Sequence, residues 1–434
     1  MQAFDCRGGH SPRSSRVSSE VAVYVAVGER NVSAGRLIFN SGGAVASFAY
    51  EPAYLAGPDA YPLDPMLPLA AGPLPVEPGR MTFGAFADSS PDAWGRSLIR
   101  LAALARAQAE GTTPPPVGEL DVVTGVRDDL RQGALRYRHD GDGPFLASGD
   151  PGVPSLADLP GLLEAAARVE RETASHADLE LLLRAGGSIG GWRPKVHFAD
   201  PAGHAAIAKF PKAGWDAWDV MAWEKVAHDL ARVAGISLPE SELIQVGDDH
   251  VFIVTRFDRR RGARVGYASA RTMLNARYGD RRSYLEIAEV IAKRSPDATS
   301  DLHELWRRVA FSILISNTDD HLRNHGFLHV RADTWALSPA FDLNPSPGPG
   351  PKQLSTAIDR TDTSASVDTL IGVAAHFRLD TGAALGILAE VTQAVSGWRD
   401  VAISHGLHPP DLDGMESAFE HAETERARTL MAGR

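Results

Sequence analysis

The chain has 434 residues, of which 44% are hydrophobic and 23% charged, and its formal net charge at pH 7 is −11. This length allows two or three domains with sizeable cores, and the negative charge argues against a protein whose main task is to grip nucleic-acid phosphates. A single cysteine, Cys6, excludes an internal disulfide framework and any cysteine-based zinc or iron–sulfur site.

The N-terminal stretch is polar and rich in serine and arginine, with no apolar segment behind it. A signal peptide requires such a segment, and the sequence has no uninterrupted apolar run of the roughly 18 residues that a membrane-spanning helix needs. We therefore expect a cytoplasmic protein with no membrane partner, in which residues 1–18 form a disordered tail.

The next part of the chain has short strand patterns at residues 21–27, 35–39 and 45–50, separated by glycine and asparagine turns. A proline-rich stretch up to residue 78 is predicted to be irregular or extended, because proline lacks an amide donor. Residues 91–109 have apolar side chains at helical spacing, namely Trp94, Leu98, Leu101 and Ala105. A small β-rich N-terminal unit is therefore expected, and a loop at 141–150 marks its end.

Beyond that loop, helical and strand patterns are mixed. Helices are predicted at 155–170, 174–184 and 217–234, and strands at 195–198, 205–210 and 251–257. From about residue 283 the pattern is mostly helical, apart from a non-helical island at 316–349. The predicted domains are the tail 1–18, a β-rich subdomain 19–145, an α/β nucleotide-binding lobe 146–265 and a mostly helical catalytic lobe 266–434.

A glycine-rich loop is the first candidate site. Its sequence is Gly186-Gly187-Ser188-Ile189-Gly190-Gly191. Glycines let the backbone approach a ligand closely, and successive amides can bind an anion. A flexible turn explains the glycine pattern by itself better than a binding site does. Arg193 and Lys195 follow directly, however, and add two cations beside the loop.

A strand lysine and a helix glutamate form the second candidate. Lys209 lies in an alternating strand, and Glu224 projects from the apolar stripe of the predicted helix 217–234. A carboxylate in an apolar stripe is costly unless it is paired, and a lysine on the adjacent strand is the simplest partner. Protein kinases use such a pair to hold the α- and β-phosphates of ATP.

The third and most specific candidate is the segment from Asn317 to Asn324. Asp319 is followed five residues later by Asn324, which is the spacing of a kinase catalytic loop. Two strand patterns and then Asp342 come next, in the order of a kinase's hairpin and metal-binding aspartate.

Two other interpretations of this segment are open. His321 and His325 are four residues apart and, on a helix, could chelate zinc. Asp319, Asp320 and Asp342 could instead form the two-metal site of a phosphodiesterase. The second interpretation leaves Lys209, Glu224 and the glycine-rich loop without a role.

Together these residues resemble the HipA-like serine/threonine kinases, toxins of bacterial type II toxin–antitoxin systems. The resemblance covers nearly the whole chain from Val21 onward. The segments that match the family are Gly187–Lys195, Ala208–Pro211, Arg256–Arg259, Asn317–Asn324, Ser338–Asp342 and, in the N-terminal unit, Phe83–Arg96 and Gly133–Tyr137. The implied fold class is α+β, a protein-kinase-like two-lobe fold with a mixed α/β lobe, a helical C-terminal lobe and a small β-rich N-terminal subdomain.

The resemblance also implies the activity, ATP- and Mg²⁺-dependent phosphorylation of a protein hydroxyl. It makes Asp319 catalytic, Asn324 and Asp342 the metal ligands, Glu224 the ion-pair partner of Lys209, and Ser188 the autophosphorylation site. The implied ATP-binding residues are Gly187, Ser188, Ile189, Gly190, Gly191, Lys195, Lys209, Phe257, His321 and Asn324.

The implied partners are a small DNA-binding, HipB-like antitoxin, through which alone the protein meets DNA, and a protein substrate, commonly an aminoacyl-tRNA synthetase. A non-catalytic module that keeps the fold to bind an antitoxin or regulate transcription is the alternative.

Overall fold

The computed structural model describes residues 20–40, 42–91, 93–139, 143–146, 153–186, 193–200 and 202–432. The predicted tail, 1–18, and the residues of the glycine-rich loop from Gly187 onward lie outside these ranges. Within them, the first part of the chain combines strands with helices and the last part is mostly helical, so the predicted α+β class is confirmed. No helix in the described ranges is long and apolar enough to cross a membrane.

An antiparallel five-stranded sheet, ordered β4-β3-β2-β1-β5, forms the N-terminal unit. Its strands are β1 (Glu20–Val27), β2 (Arg30–Phe39), β3 (Val45–Tyr50), β4 (Pro73–Pro75) and β5 (Leu135–Arg138). The helices of this unit are α1 (Pro52–Leu55), α2 (Gly84–Asp88), α3 (Ala93–Ala109) and α4 (Glu119–Thr124). The proline-containing strand β4 lies at an edge, where the missing amide donors cost no ladder hydrogen bond.

Helix α3 joins this unit to the next layer. The sequence led us to expect Leu101 in its apolar stripe, but that side chain is 38% exposed. Trp94 and Leu98 are buried as expected, and Ala102 is buried in place of Leu101, because residues four apart share one helix face. They pack with the core of α5 (Leu159–Glu170) and α6 (His176–Ala185).

The second layer is a four-stranded antiparallel sheet, ordered β6-β7-β9-β8. Its strands are β6 (Lys195–Ala199), β7 (Ala205–Lys209), β8 (Ser241–Val246) and β9 (Asp249–Thr255). The sequence did not predict β8, whose side chains are half-buried or exposed without a clear alternation. Strand β9 ends at Thr255, so the predicted strand end at residue 257 was two residues too late.

Helix α7 (Val220–Val233) packs on this sheet. It starts three residues later than predicted, because the Asp219 carboxylate caps it by accepting a hydrogen bond from the Ala222 amide at 3.0 Å. The cap fixes the first turn of α7 and therefore the direction of its buried face.

The remainder of the chain is mostly helical, as expected. A two-stranded and a three-stranded antiparallel sheet precede or interrupt it. The first consists of β10 (Arg259–Arg260) and β11 (Ala263–Arg264), and the second of β12 (Tyr267–Ser269), β13 (Gly326–Arg331) and β14 (Thr334–Leu337). The helices are α8 (Ala270–Met273), α9 (Tyr284–Arg294), α10 (Ala298–Leu314), α11 (Val367–Gly372), α12 (Thr381–Ser396), α13 (Trp398–Ser404), α14 (Pro409–Phe419) and α15 (Ala422–Ala432). The non-helical island, which contains the 3-10 turn Leu322–Asn324 and the hairpin of β13 and β14, continues to residue 366 rather than 349.

Candidate active site

The last residue of β7, Lys209, is the central cation of the site. Alternation along the strand places Lys209 on the same face as Ile207, which packs against α7. Its ammonium group donates hydrogen bonds to Glu224 Oε1 at 2.5 Å and to Asp342 Oδ1 at 2.7 Å. Glu224, in the apolar stripe of α7, is therefore paired, and its partner is the strand lysine that the sequence suggested.

The charges of Lys209 and Asp342 hold each other ionised, whereas burial raises the pKa of Glu224. Burial disfavours the ammonium form of Lys209, but the charges of Asp342 and Glu224 outweigh it and raise the pKa of Lys209. Burial likewise opposes ionisation of Asp342, yet the charge and hydrogen bond of Lys209 lower its pKa to about 2. An ionised Asp342 therefore faces the site at neutral pH.

Asp342 also has an unusual backbone. Its φ is 61°, in the left-handed region that residues other than glycine seldom adopt. Such strain persists only where surrounding contacts enforce it. Here the contacts include the Lys209 hydrogen bond and a weaker one from Asn344 Nδ2 at 3.4 Å. The strained turn carries the carboxylate back toward β7.

Asp319 lies in a loop directly after α10, and its side chain is exposed to the cavity. The loop closes on itself, because Asn324 Nδ2 donates to the Asp319 carbonyl at 3.1 Å and the His321 amide donates to the same oxygen at 2.8 Å. Partial burial raises the pKa of Asp319; the charge of His321 opposes this effect and that of Asp342 adds to it. A carboxylate with a raised pKa is a better proton acceptor.

The neighbouring Asp320 has a different environment. It is buried, accepts hydrogen bonds from Tyr284 Oη at 2.6 Å and Ser312 Oγ at 3.2 Å, and lies 3.1 Å from His325 Nε2. Asp320 therefore anchors the loop on α9 and α10. Neither Asp320 nor His325 is among the residues that line the cavity.

An aromatic group lines the opposite side of the site. The ring of Phe257 lies 5.5 Å from that of Phe341 and 6.3 Å from that of Tyr267, centroid to centroid. All three residues line the same cavity as Lys209. A flat ligand such as a nucleobase could pack there through apolar and π contacts.

The position of Phe257 is fixed by the charged residues on either side of it. Arg256 donates to Asp258 at 2.9 and 2.7 Å and to the Leu130 carbonyl at 2.8 Å, and Asp258 accepts the Gly133 amide at 2.7 Å. Gly133 has φ +76°, and a side chain there would crowd the backbone nitrogen and Cβ of Tyr267 in β12. The N-terminal unit is thus hydrogen-bonded directly to the segment that carries Phe257.

These elements surround a cavity of about 390 Å³. Of the residues that the sequence singled out, those lining it are Lys209, Glu224, Phe257, Asp319, His321, Asn324 and Asp342. Lys195 does not line it, although it pairs with Lys209 across β6 and β7, is buried, and lowers the pKa of Asp342 by its charge. Gly187, Ser188, Ile189, Gly190 and Gly191 lie outside the described residues.

Sequence reasoning missed several residues of the cavity. Phe341 and Arg323 lie inside the segments Ser338–Asp342 and Asn317–Asn324 and could have been found from those motifs. Tyr267 and Arg271 lie outside every motif that the sequence singled out, and only the fold brings them to the cavity.

Asn324 and Asp342 suit a hard cation such as Mg²⁺. The Asn324 amide nitrogen is used by the Asp319 carbonyl, which leaves its oxygen, and Asp342 Oδ2 accepts no hydrogen bond from another described residue. Mg²⁺ binds through one or two such oxygens plus phosphates and water. No group of three His, Cys, Asp or Glu side chains within the described ranges could by itself hold a metal, so the zinc and two-metal interpretations find no support there.

Three comparisons relate this chain to known proteins. The family model of the HipA-like C-terminal domain matches residues 187–398. A candidate kinase of Sinorhizobium fredii, Y4dM, is 30% identical over 160 residues, which are 33% of this chain and 38% of that protein. A candidate kinase of Haemophilus influenzae is 26% identical over 129 residues, 26% of this chain and 38% of that protein. The chain thus matches little more than a third of the length of either relative.

The fold extends this similarity over nearly the whole chain. A structure of the Shewanella oneidensis HipA toxin, solved with HipB and its operator DNA, superposes with a TM-score of 0.60 at 15% identity. The superposition covers 95% of this chain and 96% of that one. The predicted kinase-like two-lobe fold is therefore confirmed.

Proposed function

We propose, from the premise that residues 187–398 belong to the family of HipA-like C-terminal domains, that this protein is an ATP- and Mg²⁺-dependent serine/threonine kinase. One observation carries the proposal. A single cavity holds the Lys209 ion pairs with Glu224 and Asp342 and, beside them, Asp319 and Asn324.

In the proposed kinase, Lys209 and Lys195 bind the phosphates of ATP. Glu224 keeps the Lys209 ammonium charged and directed into the cavity, since a buried lysine without a partner would lose its proton. Phe257 packs on the adenine, and His321 and Asn324 complete the nucleotide contacts. Gly187, Ser188, Ile189, Gly190 and Gly191 would cover the phosphates with their amides; this part of the proposal rests on the sequence.

Asp319 orients the attacking hydroxyl and takes up its proton. Its raised pKa and its place on the cavity wall favour this role. A positioned base acts mainly on the transition state, so it changes the rate of transfer more than the affinity for ATP.

Asn324 and Asp342 would hold the Mg²⁺ that accompanies the nucleotide. When bound, the cation neutralises the charge that develops on the transferred phosphoryl group. Asp342 is ionised at neutral pH and is held toward Lys209 by its left-handed backbone, so both groups are in place before the nucleotide binds.

We extend the proposal to a cytoplasmic toxin of a toxin–antitoxin system. By analogy with the Shewanella oneidensis complex, its partner is a small DNA-binding, HipB-like antitoxin, and DNA is reached only through that partner. The net charge of −11 agrees with a chain that leaves phosphate binding to another protein. We propose an aminoacyl-tRNA synthetase as the protein substrate, and Ser188 as the site of autophosphorylation.

Incubation of the purified chain with γ-labelled ATP and a host lysate tests the activity. Label on a protein, dependent on Mg²⁺, supports the kinase. Absence of label, with tight binding to the antitoxin, supports instead a non-catalytic module that regulates transcription. Nucleic-acid cleavage without ATP would indicate a phosphodiesterase.

A further inference from the structure

Two arginines that line the cavity come from neighbouring elements, and the charge of one acts on the other. Arg271 belongs to α8, and Arg323 to the 3-10 turn Leu322–Asn324 that follows Asp319. The Ala270 amide donates to the His325 carbonyl at 2.7 Å and so fixes α8 against that turn. Both arginines line the cavity.

Neither arginine has a carboxylate partner. Among the described residues, no Asp or Glu oxygen forms an ion pair with Arg271 or Arg323, and Arg271 makes one long hydrogen bond, to the Ala276 carbonyl at 3.5 Å. Other cavity arginines are paired. Arg282, for example, lies 2.8 Å from Glu286.

Among the described residues, the charge of Asp88 acts on both arginines and that of Asp280 on Arg271, but neither carboxylate forms an ion pair with them, and Asp88 is hydrogen-bonded to Ser269. The Asp88 oxygens accept the Ser269 amide at 2.7 Å and the Ser269 hydroxyl at 2.9 Å. Burial lowers the pKa of Arg271, and the charge of Arg323 lowers it further. Two partly buried cations that share no ion-pair partner repel each other, and an anion bound between them would offset that repulsion.

We propose that Arg271 and Arg323 form a substrate subsite for one anionic side chain, a carboxylate or a phosphorylated hydroxyl, close to the hydroxyl that accepts phosphate. The proposal rests on the proposed kinase function and names its substrate class, an acidic peptide segment. A guanidinium group matches the planar or tetrahedral oxygens of such anions with paired donors.

The cavity mouth has features that suit a peptide. Tyr278 lines it and is 93% exposed, and exposed tyrosines are common anchors at protein interfaces. Nucleic acid is disfavoured, because the net charge of the chain is −11 and the two arginines line a cavity.

The test uses the full chain and a series of fluorescent peptides. Each peptide has one acceptor serine and one Glu, phosphoserine or Lys, whose position relative to the serine varies from peptide to peptide. Binding is measured by anisotropy, and phosphate transfer separately with labelled ATP. We expect an acidic peptide to bind more tightly than its Lys counterpart, and Arg271→Gln or Arg323→Gln to weaken that binding about tenfold or more. Arg281→Gln is the control, because Arg281 is exposed and does not line the cavity.

A charge-reversal variant distinguishes loss of the anion contact from loss of the folded structure. Arg271→Glu should lose the acidic peptide and gain affinity for the Lys peptide, an outcome that misfolding does not produce. The Glu and phosphoserine peptides together decide which anion is preferred.

The failures of the two proposals are distinguishable. Peptide binding that depends on Arg271 and Arg323, without phosphate transfer to any protein, would support the anionic subsite and refute the proposed kinase activity. Transfer without preference for acidic peptides, or equal losses in Arg281→Gln, overturns the subsite. Binding of a short RNA, but of no peptide, through the same arginines also overturns it.

Discussion

Lys209 donates a hydrogen bond to Asp342 at 2.7 Å, although 133 positions separate them in the chain. The same ammonium group is bonded to Glu224, so two carboxylates share one cation. A metal ion at Asp342 would compete with Lys209 for its oxygens. Nucleotide and metal should therefore replace the Lys209–Asp342 contact together, while the buried Glu224 keeps hold of the lysine.

Replacement of Asp342 by asparagine should weaken Mg²⁺-dependent ATP binding by about tenfold or more, because a hard cation loses an anionic oxygen ligand. Isothermal titration of ATP with and without Mg²⁺ measures this. Asp413→Asn, a change at an exposed aspartate of α14, is the control. Equal responses of both variants to Mg²⁺ would show that Asp342 does not bind the metal.

The Asp319→Ala variant should transfer phosphate about 10²- to 10⁴-fold more slowly, the usual effect of losing a positioned base. Its affinity for ATP should stay close to that of the unchanged chain, since this carboxylate acts on the attacking hydroxyl. Single-turnover rates and nucleotide titration separate the two quantities. Full transfer activity in the variant would refute the assignment.

The rate of transfer should fall at acidic pH with a limb above 3.8, the ordinary pKa of an aspartate. Burial raises the pKa of Asp319, and only the ionised carboxylate accepts a proton, so activity is lost as pH falls through the raised value. The charge of His321 opposes the shift, and His321→Gln should therefore move the limb to still higher pH. A pH–rate profile, with circular dichroism to verify folding, makes the comparison. If the acidic limb of the His321→Gln profile lay at the same pH as that of the unchanged chain, Asp319 would not be the group responsible for it.

Removal of the Asp258 carboxylate in Asp258→Ala should destabilise the protein by about 3–5 kcal/mol, because Arg256 would be buried without its partner. Asp129→Ala, at an exposed aspartate paired with Arg127, should change stability by about 0.5 kcal/mol or less. Urea unfolding compares them. Similar losses of unfolding free energy in both variants would show that the buried ion pair contributes no more to stability than the exposed one.

Phosphorylation of Ser188 should silence the kinase. It would place about −1.5 to −2 charges in the loop proposed to cover the ATP phosphates. Mass spectrometry after incubation with ATP, followed by nucleotide titration of the modified chain, tests this, and Ser188→Asp should reproduce part of the loss. Undiminished ATP affinity in fully phosphorylated protein would rule the switch out.

The sequence by itself determined the local elements and the motif order. Apolar runs and their periodicity located β1, β7 and α7 to within a few residues, because their buried positions are apolar. A glutamate in an apolar stripe needs a cation, so the Lys209–Glu224 pair was also within reach. The same reasoning missed β8, whose burial does not alternate.

Only the tertiary structure decided which charged groups are left without partners. Asp319 and Asp320 are adjacent and chemically identical, yet one lines the cavity and the other is bonded to Tyr284 and Ser312. Arg271 and Arg323 come together only because α8 is hydrogen-bonded beside the loop of Asp319. The energy of a charge depends on its solvent and its neighbours, and those are set by contacts between residues far apart in the chain.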